Sequence, residues 1–303
     1  MNIMHKIIIF VSVALFLTVA RAEPQGKEEI QNNYVVVSSF KEIKTIVADI
    51  LQKRNASKTL IVMPLERVLI RPTAEAFKKQ DDNYRSLFKK AFDKIFPSQR
   101  LYVDEVVLVE YQSDLTDQMI PAFISEMQAY QAPVIVVTSN ISGSYNQIPY
   151  LELWTVNFLK KQNIDLNKGV FANKTLILNS MTKVDGNYPT FYKGLLSCNS
   201  DKNNNSYHQV LATFLANSKF LPDTVIMIHF DPNTLNTLGP QLKSLKDDIE
   251  FIGLLYNPPA LSSDSMDPNT YYDFMLNFAK KVNKVKRKTD IVNEENPYEQ
   301  EEE

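Results

Sequence analysis

Two rhythms of apolar residues alternate along the chain. Short unbroken runs rich in Val, Ile and Leu stand at 34–37, 59–63, 133–138, 224–229 and 251–255, the pattern of strands buried on both faces of a parallel sheet. Between them the apolar positions recur every three to four residues. Phe40, Ile43, Val47, Ile50 and Leu51 follow a Ser39/Glu42 capping box, and Tyr84, Leu87, Phe88, Ala91, Phe92 and Ile95 form one stripe over 83–96. Further helices are predicted at 116–130, 150–161, 206–217, 234–244 and 269–285. Residues 106–110 read as extended, as do 174–179 and 190–197, the last two separated by Asp185-Gly186-Asn187 in the manner of a hairpin. Repeated β-then-α order predicts an α/β fold, a doubly wound parallel sheet of Rossmann type with right-handed crossovers. It carries a helical, cap-like insert at 73–113 and a β-hairpin excursion.

The two ends read differently. Residues 1–22 hold a basic start with Lys6, an apolar stretch from Ile7 to Val19, and Ala20-Arg21-Ala22, the form of a cleaved secretory signal peptide. That stretch is too short to favour a spanning helix, and no later segment is apolar enough to cross a membrane. A secreted or periplasmic location follows as the expectation. Residues 23–290 form the globular body, and residues 291–303, acidic and poor in apolar groups, read as a disordered tail.

With 303 residues and 44% hydrophobic content, the chain is long enough for one large core. The formal charge of −2 becomes −4 once 1–22 are gone, because Lys6 and Arg21 leave with no acid. A mildly acidic surface gives no reason to expect nucleic acid as a partner. Cys198 is the single cysteine, so the chain has no internal disulfide, and a buried thiol is its simplest reading. Trp154 and Tyr271-Tyr272 lie on helical segments and read as packing residues rather than as a base-stacking platform.

Four segments together resemble the haloacid dehalogenase superfamily, and within it an uncharacterised, secreted branch found in intracellular bacteria, over about residues 34–258. Thr59-Leu60-Ile61-Val62-Met63 and Leu69-Ile70-Arg71-Pro72 match the two sides of the first motif of that family. Between them Pro64 stands at the nucleophile position, Glu66 at the second acid and Val68 at the threonine. Val134-Ile135-Val136-Val137-Thr138-Ser139 keeps the second motif, with Thr138 as the phosphate-binding hydroxyl. The lysine of the third motif falls at Tyr207, with Lys202 nearby. The paired acids of the fourth fall at His229 and Phe230, with Asp231 one position later, after the strand Val225-Ile226-Met227-Ile228. The resemblance ends on the strand run 249–256.

The resemblance implies an aspartyl-phosphate chemistry that these residues lack. A Pro ring has no nucleophilic atom. Magnesium needs hard oxygen ligands, which Pro64 and Phe230 do not supply, and Tyr207 carries no positive charge. The expectation is therefore a secreted, noncatalytic member with a vestigial cleft of Pro64, Glu66, Thr138, Tyr207, His229 and Asp231. It would bind no metal or cofactor and act as a binding or interaction module for a protein or small ligand. The alternative is a divergent phosphatase or other hydrolase using Glu66, His229 or Asp231, since a Glu with a His can serve as acid and base. A scaffold that works through the insert is a third reading. Asn140-Ile141-Ser142-Gly143-Ser144 follows a strand but lacks the glycine and lysine pattern of a phosphate loop.

Overall fold

Unbroken apolar strands need both faces covered, and the sheet supplies this. The computed structural model describes residues 34–78, 82–93, 103–200, 204–258 and 266–284, all within one compact unit. The signal-like segment, the acidic tail and Lys202 lie outside the described residues. In chain order the described elements are β1 (Tyr34–Val37), α1 (Phe40–Lys53), β2 (Thr59–Pro64), β3 (Ile70–Pro72), α2 (Asp82–Asp93), α3 (Val103–Glu110), β4 (Ser113–Leu115) and α4 (Ile120–Ala129). There follow β5 (Val134–Thr138), α5 (Leu151–Lys161), β6 (Thr175–Ile177), β7 (Thr190–Tyr192), β8 (Leu195–Ser197), α6 (Tyr207–Ser218), β9 (Thr224–His229), α7 (Pro232–Lys243), β10 (Glu250–Tyr256) and α8 (Pro268–Lys284).

Eight strands form the main sheet in the order β1-β10-β9-β2-β5-β8-β7-β6, with β1 through β8 in that order mutually parallel and β7, next to the edge strand β6, antiparallel to both of its neighbours. All residues of β2, β5 and β9 are buried. Alternate side chains go to opposite layers: Ile61, Met63, Val136 and Ile228 meet α1, α4 and α5, whereas Leu60, Val62, Val137 and Met227 meet α6 and α7. This is a Rossmann-like α/β fold.

The insert is closed at its base by an antiparallel pairing of β3 with β4. Its two helices make a third cluster with α8, in which Ala91, Phe92 and Val106 pack on Tyr271, Met275, Phe278 and Val282. The last helix thus covers the insert, not the sheet, a departure from the simple β-then-α reading.

Two sequence expectations are corrected. Residues 106–110 belong to helix α3, because Val106 and Leu108 are buried in tertiary contacts that outweigh the extended preference of Val. The run 190–197 is two strands, folded back at Lys193-Gly194, where both φ angles are positive (48° and 94°) as a two-residue I′ turn requires. The Asp185-Gly186 turn is of the same kind, at 52° and 87°, and lies within the connection from β6 to β7.

Candidate functional site

The chain leaves β2 towards β5 on one side, while β9, the other neighbour of β2, leads on to β10. Diverging connections open a crevice at the carboxyl ends of two adjacent parallel strands, the place where open α/β sheets bind ligands. Pro64 ends β2, Thr138 ends β5, His229 ends β9, and Tyr207 opens α6.

Beyond Pro64 the loop folds tightly on itself. Leu65 N–H donates to the Val137 carbonyl at 2.7 Å, Ile70 N–H to the Leu65 carbonyl at 3.0 Å, and Arg67 sits in the left-handed region at φ 66°. The Thr116 hydroxyl also donates to the Val68 carbonyl. This loop turns Glu66 across β5, where the Thr138 hydroxyl donates to its Oε1 at 2.5 Å and the Tyr207 hydroxyl lies 3.4 Å from its Oε2. Burial, followed by the nearby Asp104 carboxylate, pushes the Glu66 carboxyl up to about 8. Burial, with Glu66 second, drives the Tyr207 phenol well above its ordinary range.

His229 is 2% exposed. Its Nδ1 accepts the Asp231 N–H at 2.9 Å, which assigns the ring proton to Nε2, a buried atom with no partner among the described residues. Burial lowers its pKa to about 4, so the imidazole is neutral. Phe230 stacks on it at 4.6 Å, and the Arg67 guanidinium lies over the Phe230 ring, 4.9 Å from its centroid. Asp231 faces elsewhere. Its carboxylate caps α7, accepting from Asn233 N–H, Thr234 N–H and the Thr234 hydroxyl at 3.2, 3.1 and 2.8 Å. Burial opposes its ionisation, but these donors hold its pKa below the usual carboxylate value.

Of the six cleft residues, then, Glu66, Thr138 and Tyr207 touch through hydrogen bonds. His229 joins them by its ring, edge-on to Tyr207 at 6.1 Å. Pro64 is the buried last residue of β2 and Asp231 is a helix cap. Two participants escaped the sequence reading. Asp104 accepts the Ser139 hydroxyl at 2.7 Å and Glu105 accepts the Ile141 N–H at 3.1 Å, bringing acids of the insert to the end of β5. Adjacent acids in the first turn of a helix were the available signal, hidden by the extended reading of that segment. The loop after β5 binds side chains of its own protein: N–H groups of Ser142 and Gly143 donate to Asn199 and Glu152 at 2.7 Å each. Cys198 is buried beside Glu66, its thiol pKa raised by burial and then by that carboxyl. Among the described residues no three His, Cys, Asp or Glu groups cluster as metal ligands, and no helix is long and apolar enough to cross a membrane.

Fold and crevice define a Rossmann-like α/β protein whose strand-end site joins Glu66, Thr138 and Tyr207 by hydrogen bonds beside a neutral His229. The chain belongs to the protein family of unknown function DUF2608, which it matches over residues 37–288. It is 27% identical over 307 residues to an uncharacterized protein of Rickettsia bellii, covering 98% of this chain and 99% of the other. An uncharacterized protein of Rickettsia prowazekii is 31% identical over 235 residues, covering 75% of this chain and 78% of its relative.

Proposed function

We propose that the protein is an exported, noncatalytic member of the haloacid dehalogenase-like fold that acts as a binding or interaction module. The observation that carries this reading is the stack of Arg67 on Phe230 on His229 at the crevice mouth. It stands at the end of β9, the strand paired with β2, where the resemblance would put metal and phosphate. The three adjacent strand ends, of β9, β2 and β5, support the resemblance itself.

The residues there do not fit magnesium. Pro64 has no side-chain oxygen, Glu66 holds its proton at neutral pH, and both oxygens of Asp231 already accept the N–H groups of α7. A hard divalent ion needs several free anionic or carbonyl oxygens.

The test is hydrolysis of p-nitrophenyl phosphate by purified full-length protein, with and without magnesium, beside Glu66→Gln and Asp231→Asn. The expected result is no turnover above that of the variants. Turnover that both variants lose overturns the reading.

One observation favours a second reading, a hydrolase with Glu66 as general acid: a carboxyl at about 8 stays protonated at neutral pH, as such an acid must. Activity falling on the alkaline side of pH 8 and absent in Glu66→Gln would establish it. Export is tested separately, by the mass of protein recovered outside the cytoplasm, expected to begin at Glu23.

A further inference from the structure

Three carboxyl groups from two separate elements converge on four consecutive residues at the end of β5. Thr138 Oγ donates to Glu66, Ser139 Oγ to Asp104, and Ile141 N–H to Glu105. Glu66 comes from the loop after β2, whereas Asp104 and Glu105 form the first turn of α3 in the insert. We propose that Glu66 is a proton-operated latch, holding α3 of the insert against the parallel sheet while its carboxyl is neutral and releasing it on ionisation.

The charges around Glu66 set the direction. From α3 it faces Asp104 and Glu105, both of which oppose its ionisation. From α6 it faces the Tyr207 phenol, which also bonds the Ser139 side chain, and from the end of β8 the Cys198 thiol. From β9 the neutral His229 lies behind Tyr207, with Asp231 committed to its cap, and Arg67 of its own loop is stacked on Phe230. Among the described residues, the charged groups that act on Glu66 are thus acids. An ionised Glu66 adds a third negative charge to the same short segment, where the half-burial of Glu66 and Tyr207 weakens screening by solvent.

Rigidity decides which side yields. The Glu66 loop is pinned by main-chain bonds to β5 and within itself, at 2.7 and 3.0 Å. α3 meets the β5 loop through the two carboxylates and through Val106, which shares an apolar cluster with Ile141, and an added charge at Glu66 opposes the carboxylate contacts. A neutral Glu66 can also donate its own proton to the Tyr207 oxygen, tying α6 into the same network. Burial and Asp104 set the transition near 8, and because the same surroundings push Tyr207 and Cys198 upwards, Glu66 is the group that titrates in this window.

Hydrogen exchange read by mass spectrometry on the full chain at pH 6.5 and pH 9, corrected for intrinsic rates, tests this. Peptides spanning 103–111 are expected to lose protection roughly tenfold or more at pH 9, a fold-change equal to about 1.4 kcal/mol of opening free energy, while peptides from β2 and β9 hold theirs. Glu66→Gln, and equally Glu66→Met, should abolish the change. Asp104→Asn should keep it but move its midpoint to lower pH. Constant protection in the wild type, an undiminished loss in both Glu66 variants, or a transition that vanishes in EDTA and is therefore driven by a bound cation would each overturn the latch.

Discussion

The Arg67 guanidinium lies 4.9 Å from the centroid of the Phe230 ring, an aromatic that stacks at 4.6 Å on His229. A cation over a ring face gains about 0.5–2 kcal/mol, depending on how dry the site is. The pair is expected to act as a lid of side chains rather than of backbone, shielding the imidazole from water at the end of β9.

Removing that lid should wet the ring. In Phe230→Ala the His229 titration midpoint is expected to rise from about 4 towards its ordinary 6.5, followed through the imidazole proton shifts by NMR. An unmoved midpoint would assign the desolvation to the strand ends and not to Phe230.

Glu66 and His229 bend the stability curve in opposite directions. The native Glu66 value of about 8 exceeds the ordinary 4.5, so its contribution is full below 4.5 and is lost as pH rises to 8. The native His229 value of about 4 lies below 6.5, so the unfolded chain takes up that proton first and stability falls as pH drops from 6.5 to 4. Denaturant titrations should show Glu66→Gln more stable than wild type at pH 8, by on the order of 1–3 kcal/mol after solvent screening. No gain would mean that the lost carboxyl contacts outweigh the relieved charge.

Asp231 should behave as a cap. Asp231→Ala removes the acceptor for the first N–H groups of α7 and is expected to cost about 1–2 kcal/mol, with Asp231→Asn or Asp231→Ser recovering most of it. A loss that neither replacement rescues would point to a role beyond the helix end.

Two glycines with left-handed backbone should separate strain from crowding. At Gly194, φ 94°, an added Cβ would meet Leu166 Cβ and the Leu166 carbonyl oxygen at 2.9 Å, whereas at Gly186, φ 87°, it would meet nothing within 4 Å. Gly186→Ala is expected to cost about 1 kcal/mol from conformation alone. Gly194→Ala should cost clearly more, and equal losses in thermal melts would contradict the crowding.

Magnesium is not expected to raise the melting temperature. A site filled at about 100 times its Kd adds roughly 2.7 kcal/mol, several degrees for a domain of this size. A saturable rise at millimolar magnesium, reversed by EDTA and absent in Glu66→Gln, would show that Glu66 surrenders its proton to a cation.

Much of the architecture is written in local pattern. Residues 59–63, 133–138 and 224–229 are continuous apolar runs, and each is a strand buried on both faces, since no other use of such a run hides both rows of side chains. Ser39 caps α1 as its spacing implies, although Glu42 reaches the Ser38 N–H at 2.9 Å and not that of Ser39. The positions ending those strands, Pro64, Thr138 and His229, were legible for the same reason. The sequence alone thus determined which segments are buried strands, which are amphipathic helices, and which residues arrive at the strand ends.

Only the tertiary structure decided what those residues meet. Val103–Glu110 is a helix because Val106 and its neighbours have α2 and α8 to pack on, a partner more than 160 residues distant in the chain whose presence no local window contains. The placing of β9 between β2 and β10, the convergence of Glu66, Asp104 and Glu105 on one loop, and the Arg67–Phe230–His229 stack are likewise products of long-range packing. Periodicity records how much of a side chain must be hidden from water, a property of each segment by itself. Which other segment hides it, and hence which polar groups are left dry beside one another with shifted charge states, is a property of the whole chain.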